Sequence, residues 1–237
     1  MSEQKHVVVV GGSSGMGLAA AQLFAQTGAR ITIAGRSKAK LTHAAHSIEG
    51  DVSIGEVDGT SDNSVESFYE NTGQIDHLVV TVASGVPMGA FRETGVAGLE
   101  QTLTYKLMAQ ARLVHAAIPH LSQDSSITFV SGIAGRRPIP GMSSAAVANH
   151  GIEALATVLA KELAPIRVNV IAPGLVDTPA YDGMPPEIKE SMMHDTAAAL
   201  PVGRVGTSED IGAAIVSVAT NGFVTGTTFE IDGGAHL

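Results

Sequence analysis

The sequence predicts an α/β protein built on a doubly wound parallel sheet of about seven strands, with helices on both faces. Short runs rich in Val, Ile and Leu alternate with longer Ala-rich segments of helical character. Several short runs are apolar throughout, as expected of parallel strands covered on both sides. Because strands alternate with helices, a parallel sheet with crossover helices follows. A chain of 237 residues suits one such domain, over 1–237, and is short for two.

Seven strands and six helices are predicted along the chain. The strands are the apolar runs at 6–10, 29–35, 52–57, 75–82, 125–131, 166–172 and 227–232. The helices are the longer segments at 15–27, 38–48, 61–71, 96–120, 142–164 and 208–219. One stretch, 177–195, contains three prolines and fits neither pattern. We expect it to form a loop with a small helix, where a lid over the site would lie.

The composition argues against several classes of function. The formal net charge is −9, and an acidic protein without a long basic cluster is poorly suited to nucleic acid or anionic membranes. The longest apolar runs, such as 7–10, are far shorter than the ~18 residues of a membrane span. Gly11 and Gly12 interrupt any secretory signal at the start. No cysteine is present, which excludes disulfides and thiolate chemistry, so we expect a cytoplasmic protein without a metal centre.

A glycine-rich turn between the first strand and the first helix predicts a dinucleotide site. Gly11, Gly15 and Gly17 allow a sharp turn and let main-chain amides approach a pyrophosphate at the helix N-terminus. The alternative is a tight strand-to-helix turn that binds nothing. The residues of this turn that we expect to contact the cofactor are Gly11, Ser13, Ser14, Gly15, Met16 and Gly17.

The end of the second predicted strand indicates which dinucleotide is bound. Gly35 stands where a carboxylate would grip the adenosine ribose of NAD, and Arg36 follows it. A guanidinium pairs bidentately with a phosphate, so this pattern favours NADP; alternatively, Arg36 is a solvated helix-start residue. Asp58 follows the third strand and either accepts from the adenine amino group or caps the next turn. Further hydroxyl donors to the 2′-phosphate are available on Ser13, Ser14 and Ser37.

Five segments in the same order resemble the short-chain dehydrogenase/reductase family over essentially the whole chain. They are GGSSGMG, IDHLVVTVA, FVSGIAGRRPIPG, LAKELAPIRVNVIAPGLVDTP and GFVTGTTFEIDGG. The resemblance implies a Rossmann-like fold, a nicotinamide cofactor and usually a homotetramer. It also implies that Pro173 and Gly174 shape the nicotinamide end, with Val176 and Thr178 beside the carboxamide. The residues alone predict a Pro-Gly turn followed by a helix N-cap, and this structural role is compatible with binding of the nicotinamide cofactor.

The positions that carry the family's proton relay hold other residues here. In the family, a tyrosine passes the proton, a lysine four residues later on the same helix face lowers its pKa, and a serine positions the substrate oxygen. Aligned on Pro140-Gly141, the tyrosine and lysine positions fall on Ala145 and Asn149, and the serine position falls on Gly132. The family's helix asparagine falls on Lys106, and its Asn-Asn-Ala-Gly motif on 80–83. The ordinary relay therefore cannot operate.

The resemblance places the side chain at 106 next to the family's catalytic lysine, whose position is Asn149 here, so Lys106 is our candidate for a replacement catalytic group. A desolvated lysine can titrate near neutrality. The alternative is a lysine that extends to solvent or pairs with a carboxylate. Tyr181 and Asp182 lie on the predicted lid and could act over a substrate, although a surface loop without this role is favoured. Tyr105 is expected to pack. Turn and cap roles are expected for Ser131, Ser143 and Ser144, and exposed charge rather than anion binding for Arg136 and Arg137.

Two functions from different classes fit these residues. The first is an atypical NADP-dependent oxidoreductase that acts on a small carbonyl or alcohol with a rearranged proton relay. The second is a non-catalytic NADP-binding redox sensor or partner subunit; a lyase or isomerase is a weaker third possibility. A homo-oligomer, dimer or tetramer, is expected, because the family pairs the helix faces around 99–119 and 145–163 across a dimer interface.

Overall fold

A seven-stranded parallel sheet confirms the predicted doubly wound architecture. The computed structural model describes residues 4–82 and 87–237. Within them the strands are His6–Val10 (β1), Arg30–Gly35 (β2), Val52–Glu56 (β3), Ile75–Val80 (β4), Leu121–Val130 (β5), Arg167–Pro173 (β6) and Thr228–Ile231 (β7). Their order is β3-β2-β1-β4-β5-β6-β7, and every pairing is parallel. The order reverses between β1 and β4, where open α/β sheets bind ligands beyond the carboxyl ends of their strands.

Helices cover both faces of the sheet. They are Gly15–Gln26 (α1), Lys38–Ala45 (α2), Asp62–Glu70 (α3), Phe91–Thr102 (α4), Ala109–Ala117 (α5), Ser143–Glu162 (α6), Pro186–Ala199 (α7) and Ser208–Thr220 (α8). One core layer packs α1 and α8 on the sheet through residues such as Phe24 and Ile215. The other packs α3, α5 and α6 on the opposite face through Phe68, Leu113 and Ile152. In the described part of the chain, no helix combines the length and apolar character needed to cross a bilayer.

The region predicted as one helix over 96–120 differs from that expectation. A π-helical segment, Leu103–Met108, separates α4 from α5, and Gly95 adopts non-helical angles inside α4. A π-helix closes its hydrogen bonds one residue later than an α-helix, so it changes the direction of the side chains it carries. Lys106 lies in this segment and is buried.

The predicted lid also differs in extent. A 3-10 turn over Pro179–Tyr181 begins it, and α7 then continues for 14 residues, longer than the small helix expected. Lys189 of α7 ties the segment together, because its Nζ lies 3.0 Å from an oxygen of Asp177 and 3.0 Å from one of Asp182.

Candidate active site

An open groove of about 670 Å³ runs along the carboxyl ends of β1 to β4. Its volume falls in the range of cofactor and small-molecule sites. The predicted glycine turn forms one wall, and the segment after β6 forms another at Thr178. The predicted cofactor residues on its surface are Gly11, Ser13, Ser14, Gly15, Met16, Gly17, Arg36, Ser37, Asp58 and Thr178.

The glycine turn leaves no room for side chains at three positions, Gly11, Gly12 and Gly17. A Cβ on Gly11 would lie 2.2 Å from Oγ1 of Thr81, and a Cβ on Gly17 would lie 2.4 Å from the carbonyl oxygen of Gly11. The turn therefore packs backbone against backbone and presents the start of α1 to the groove. Ser14, the N-cap residue of α1, makes no side-chain hydrogen bond to the first turn within the described chain, and this turn carries no acidic residue. Both features suit an anionic group at the N-terminus of the helix.

Positive charge marks the far end of the groove, at the end of β2. Arg36 and Lys40 lie on this wall with Ser37, and all three are exposed. Ser37 is also the N-cap of α2, because its Oγ accepts a hydrogen bond from the amide of Lys40 at 3.4 Å. Lys40 was not predicted from the sequence, where its position one turn after Arg36–Ser37 was the only signal.

Asp58 serves as a turn cap while also lining the groove. One of its carboxylate oxygens accepts from the amide of Thr60 at 2.9 Å and from the Thr60 hydroxyl at 2.8 Å. These hydrogen bonds, with a smaller contribution from the nearby charge of Arg36, lower the pKa of Asp58. The capping role of Asp58 is therefore present in the structure. Because Asp58 also lines the groove, its position is compatible with the predicted contact to the adenine amino group as well.

The residues expected at the nicotinamide end lie in different environments. Pro173 ends β6, and a Cβ on Gly174 would lie 2.8 Å from Cα of Asp232. Val176 is buried and forms an isolated bridge with Gly206. Within the described residues only Thr178 of this group lines the groove; it is the N-cap of the 3-10 turn, without a side-chain cap bond.

Lys106 is a buried cation beside the end of β5. Its side chain does not extend to solvent, since the residue is only 8% exposed. The Nζ atom donates a hydrogen bond to the main-chain oxygen of Ser131 at 2.8 Å. Burial lowers the pKa of Lys106 to about 8, against the opposing attraction of Glu153. Lys106 is not among the groove-lining residues of the described chain, although its neighbour Tyr105 is.

Two positions assigned to the family's relay, Gly132 and Asn149, lie close together next to Ser131, the residue that binds Lys106. A Cβ on Gly132 would lie 3.0 Å from Nδ2 of Asn149, so the asparagine occupies the space that a side chain at 132 would need. Ala145 lies one helical turn before Asn149 on α6, and both are buried. The Asn-Asn-Ala-Gly motif that the resemblance assigns to 80–83 ends at Ala83, which lies outside the described residues.

Two buried amide oxygens in this region lack hydrogen-bond partners among the described residues: Oε1 of Gln110 and Oδ1 of Asn149. Gln110 uses its Nε2 to bind the carbonyls of Val82 and Val130, at 3.0 and 3.1 Å, and so joins the ends of β4 and β5. Leaving an acceptor unsatisfied in the interior costs about 1–3 kcal/mol. These oxygens are therefore suited to bind a water or a ligand group.

A buried carboxylate, Glu153, lies beside Ser131. The Glu153 side chain, 6% exposed, accepts from the Ser131 hydroxyl at 3.0 Å and from Nε of Arg136 at 2.9 Å. Arg136 in turn donates to Glu230 of β7 at 3.0 Å. The charges therefore alternate from Lys106 through Glu153 and Arg136 to Glu230. We call these four residues with Ser131 the interior charge network.

Comparison with known proteins decides the family. A family model described as enoyl-(acyl carrier protein) reductase matches residues 10–236. The curated 3-oxoacyl-[acyl-carrier-protein] reductase FabG of Chlamydia muridarum is 30% identical over 245 residues, which is 97% of this chain and 96% of that protein. The chain belongs to the short-chain dehydrogenase/reductase family.

Solved structures agree with this assignment. A small-chain dehydrogenase in complex with NADPH superposes with a TM-score of 0.85 and 33% identity, covering 98% of this chain and 99% of that one. The MalC reductase/Diels-Alderase of Malbranchea aurantiaca gives a TM-score of 0.90 and 25% identity, with 98% and 96% coverage. These matches confirm the resemblance stated from the sequence segments.

Several expectations for single residues of this short-chain dehydrogenase/reductase were wrong. Tyr105 does not pack inside the protein; it is exposed and lines the groove. Ser131 is not a turn or cap residue, because it is buried and hydrogen-bonded to Lys106 and Glu153. The N-cap of α6 is Met142, so Ser143 and Ser144 lie inside the helix.

The two arginines after β5 also differ from expectation. Arg136 is neither a free surface charge nor an anion site, since it pairs with two carboxylates. Arg137 is half-buried, and its Nε has no partner within the described chain. On the lid, burial raises the pKa of Tyr181, which makes its phenol a weaker acid, and Asp182 is paired with Lys189.

Glu153 was not predicted from the sequence as a residue of the site. An acidic residue on a long helix is ordinarily solvated. The available signal was its position four residues after Asn149 and eight after Ala145, which places all three on one face of α6.

Proposed function

We propose that the protein is an NADP-dependent oxidoreductase that acts on the carbonyl or alcohol group of a small molecule and uses Lys106 in place of the family's phenol as proton donor. The observation that carries this proposal is the buried Lys106 ammonium, bound to Ser131 next to Gly132 and Asn149. A cation with a lowered pKa lies there, where the resemblance places a proton relay.

The groove fits a nicotinamide dinucleotide phosphate. Main-chain atoms of the glycine turn and the uncapped first turn of α1 would hold the pyrophosphate. Arg36, Ser37 and Lys40 would hold the 2′-phosphate, since the chain offers a guanidinium, a hydroxyl and an ammonium there and no carboxylate at Gly35. The NADPH bound to a similar small-chain dehydrogenase supports this choice of cofactor.

NADPH, when bound, supplies the hydride that reduces the carbonyl carbon. The chain's own task is to deliver one proton to the carbonyl oxygen, so that carbonyl, hydride and proton together give the alcohol. An ammonium carries three N–H donors, and Ser131 accepts one of them. With a pKa of about 8, Lys106 is mostly protonated at neutral pH and still a competent acid. Alcohol oxidation would use the neutral amine as the base.

A second candidate function is a non-catalytic NADP-binding protein, a sensor or a partner subunit. One observation favours this function. The Lys106 ammonium already donates to the Ser131 carbonyl, and Lys106 is not among the described residues that line the groove. In this case Lys106 stabilises the fold around Ser131 and transfers no proton.

One set of titrations separates the two functions. NADPH and NADH are titrated against the purified protein, and carbonyl and activated-alkene substrates are then added to the same cuvette while absorbance of the reduced cofactor is followed. We expect tighter binding of NADPH and substrate-dependent oxidation, with a rate of reduction that is constant below pH ~8 and falls above it as Lys106 loses its proton.

The matched variants are Lys106→Met, which removes the acid, and Lys161→Met, which removes an exposed lysine from α6. Lys106→Met should bind NADPH like the wild type and lose turnover at least about 100-fold, in the range of a general acid. Lys161→Met should behave like the wild type.

The outcomes separate the candidate functions. If the wild type binds NADPH without turnover, the result supports the non-catalytic sensor or partner subunit. Full turnover in Lys106→Met rules out this lysine as the acid. Product analysis in the same reactions detects conversion without cofactor oxidation, the outcome expected of a lyase or isomerase.

A further inference from the structure

The interior charge network contains two buried charged side chains, Lys106 and Glu153, and such groups are rare in a protein interior. Among the described residues, Lys106 is the only lysine or arginine classed as buried, and the buried carboxylates are Glu153 and Asp232. Removing a charge from water costs several kcal/mol unless a partner compensates it. Lys106 therefore needs a counter-charge within the network.

Glu153 is placed to supply that counter-charge. Asp232 is already engaged by the amide of Gly234 at 2.9 Å and by the ring of His236 at 3.0 Å. Glu153, in contrast, attracts Lys106 and acts to raise the pKa of its ammonium. The other charged groups on the network are Arg136, from the loop after β5, and Glu230, from β7. Asn149 and Gln110 beside it are neutral.

Glu153 is also joined to Lys106 through a single residue. Ser131 donates its hydroxyl to Glu153 at 3.0 Å and accepts the Lys106 ammonium on its carbonyl at 2.8 Å. A carboxylate that holds the Ser131 side chain therefore limits rotation of the Ser131 peptide and keeps its carbonyl available to the lysine. Arg136 fixes the second oxygen of Glu153 at 2.9 Å, so the carboxylate itself has little freedom.

We propose that Glu153 is the positioning residue of this site: it orients the Ser131 carbonyl on Lys106 and supplies the counter-charge that keeps the ammonium protonated. The proposal rests on the proposed function only in naming Lys106 as the group that is positioned. Loss of Glu153 would leave a buried cation without compensation, and the lysine would respond by releasing its proton at lower pH.

The test observes Lys106 itself and needs no substrate. The protein is labelled with ¹³C at the lysine ε carbon, and the pH dependence of each lysine signal is followed by NMR; the chain has six lysines, and Lys106→Met identifies the signal of interest. In the wild type we expect a midpoint of about 8. In Glu153→Gln the midpoint should fall by about one pH unit or more, because an opposite charge nearby contributes shifts of this size.

Two further variants make the reading specific. Glu162→Gln removes an exposed carboxylate from the same helix and should leave the midpoint at the wild-type value. Glu153→Asp keeps the charge on a shorter side chain, and its midpoint should lie between those of the wild type and Glu153→Gln. If Glu153→Gln fails to fold, as judged by circular dichroism, the Lys106 midpoint measured in Glu153→Asp tests the proposal alone.

An unchanged Lys106 midpoint in the folded Glu153 variants would overturn the positioning role. Where a substrate is turned over, the pH at which the rate of reduction falls should shift downward with the NMR midpoint. Failure of the proposed function appears separately, as a shifted midpoint in a protein that turns over no substrate.

Discussion

At the scale of single residues, Gly132 and Asn149, two positions that the family resemblance assigns to the proton relay, lie close together. A side chain at 132 would meet Nδ2 of Asn149 at 3.0 Å, a distance tighter than ordinary packing allows. A serine at 132 would therefore require Asn149 to move, and a lysine at 149 would add a second ammonium to this buried region. The interior is arranged around one cation, at position 106, and not around a phenol and a lysine on α6.

Arg36 should distinguish NADPH, which carries a 2′-phosphate, from NADH, which does not. Arg36→Leu should weaken NADPH binding about 10- to 100-fold, equivalent to the ~1.5–3 kcal/mol of hydrogen bonds to a charged group. NADH binding should not change, because NADH lacks the 2′-phosphate. Fluorescence titrations of both cofactors at one fixed salt concentration measure the two constants.

The matched control for this substitution is Lys38→Leu. Lys38 is exposed at the start of α2 but does not line the groove within the described residues. It should lose little affinity for either cofactor. An equal loss for NADPH and NADH in Arg36→Leu would show that Arg36 is a solvated residue, the alternative left open by the sequence.

At the scale of helices and strands, burial on both faces made β1 predictable to the residue. His6–Val10 is buried throughout and ends at glycine, so its pattern has no competing interpretation. The helix predicted over 96–120 was wrong in detail because apolar spacing does not distinguish a π-helical turn from an α-helical one. The burial of Glu153 was not predictable either, since it depends on partners from β5, its following loop and β7 that only the fold brings together.

The strand-to-helix turn that forms the groove should tolerate no side chain at Gly17. In Gly17→Ala the new Cβ would lie 2.4 Å from the carbonyl oxygen of Gly11, and main chain cannot swing away as a flexible side chain does. We expect a loss of about 1–3 kcal/mol in the free energy of unfolding, typical of overpacking, with weaker NADPH binding. Urea unfolding followed by circular dichroism measures the first quantity, and a fluorescence titration measures the second.

Gly222→Ala is the control for this substitution. Among the described residues, apart from its two chain neighbours, no atom lies within 4 Å of a Cβ built on Gly222, and its backbone conformation is open to other residues. Its stability and NADPH binding should stay near the wild-type values. A Gly17→Ala variant as stable as Gly222→Ala would mean that β1 and α1 can separate without cost, and would contradict the close contact between Gly17 and the Gly11 carbonyl.

At the scale of the whole molecule, one outer face of α6 is more apolar than a solvated helix surface needs to be. Val147 and Val158 are 49% and 52% exposed, and they lie 11 residues apart, which is close to three full turns. Ala154 lies on the same stripe and is exposed, and Met108 of the neighbouring π-helical segment is 50% exposed. Exposed apolar residues that share one face indicate an interaction surface.

We expect a second copy of the chain to cover this face, consistent with the helix pairing that the family resemblance implies. Light scattering after size exclusion should give the wild type a mass of at least twice 24.2 kDa, while Val158→Lys shifts toward the monomer because a buried, unpaired ammonium opposes association. Ile188→Lys, which places the same charge on an exposed position of α7, should keep the wild-type mass. A wild type that stays monomeric at micromolar concentration would contradict the expected pairing. A Val158→Lys variant with unchanged mass would show that the subunit contact lies elsewhere.

The same variant tests whether pairing of α6 affects the interior, because Glu153 lies on the buried side of this helix. If the interior charge network is complete within one chain, the titration midpoint of Lys106 should be the same in dimer and monomer.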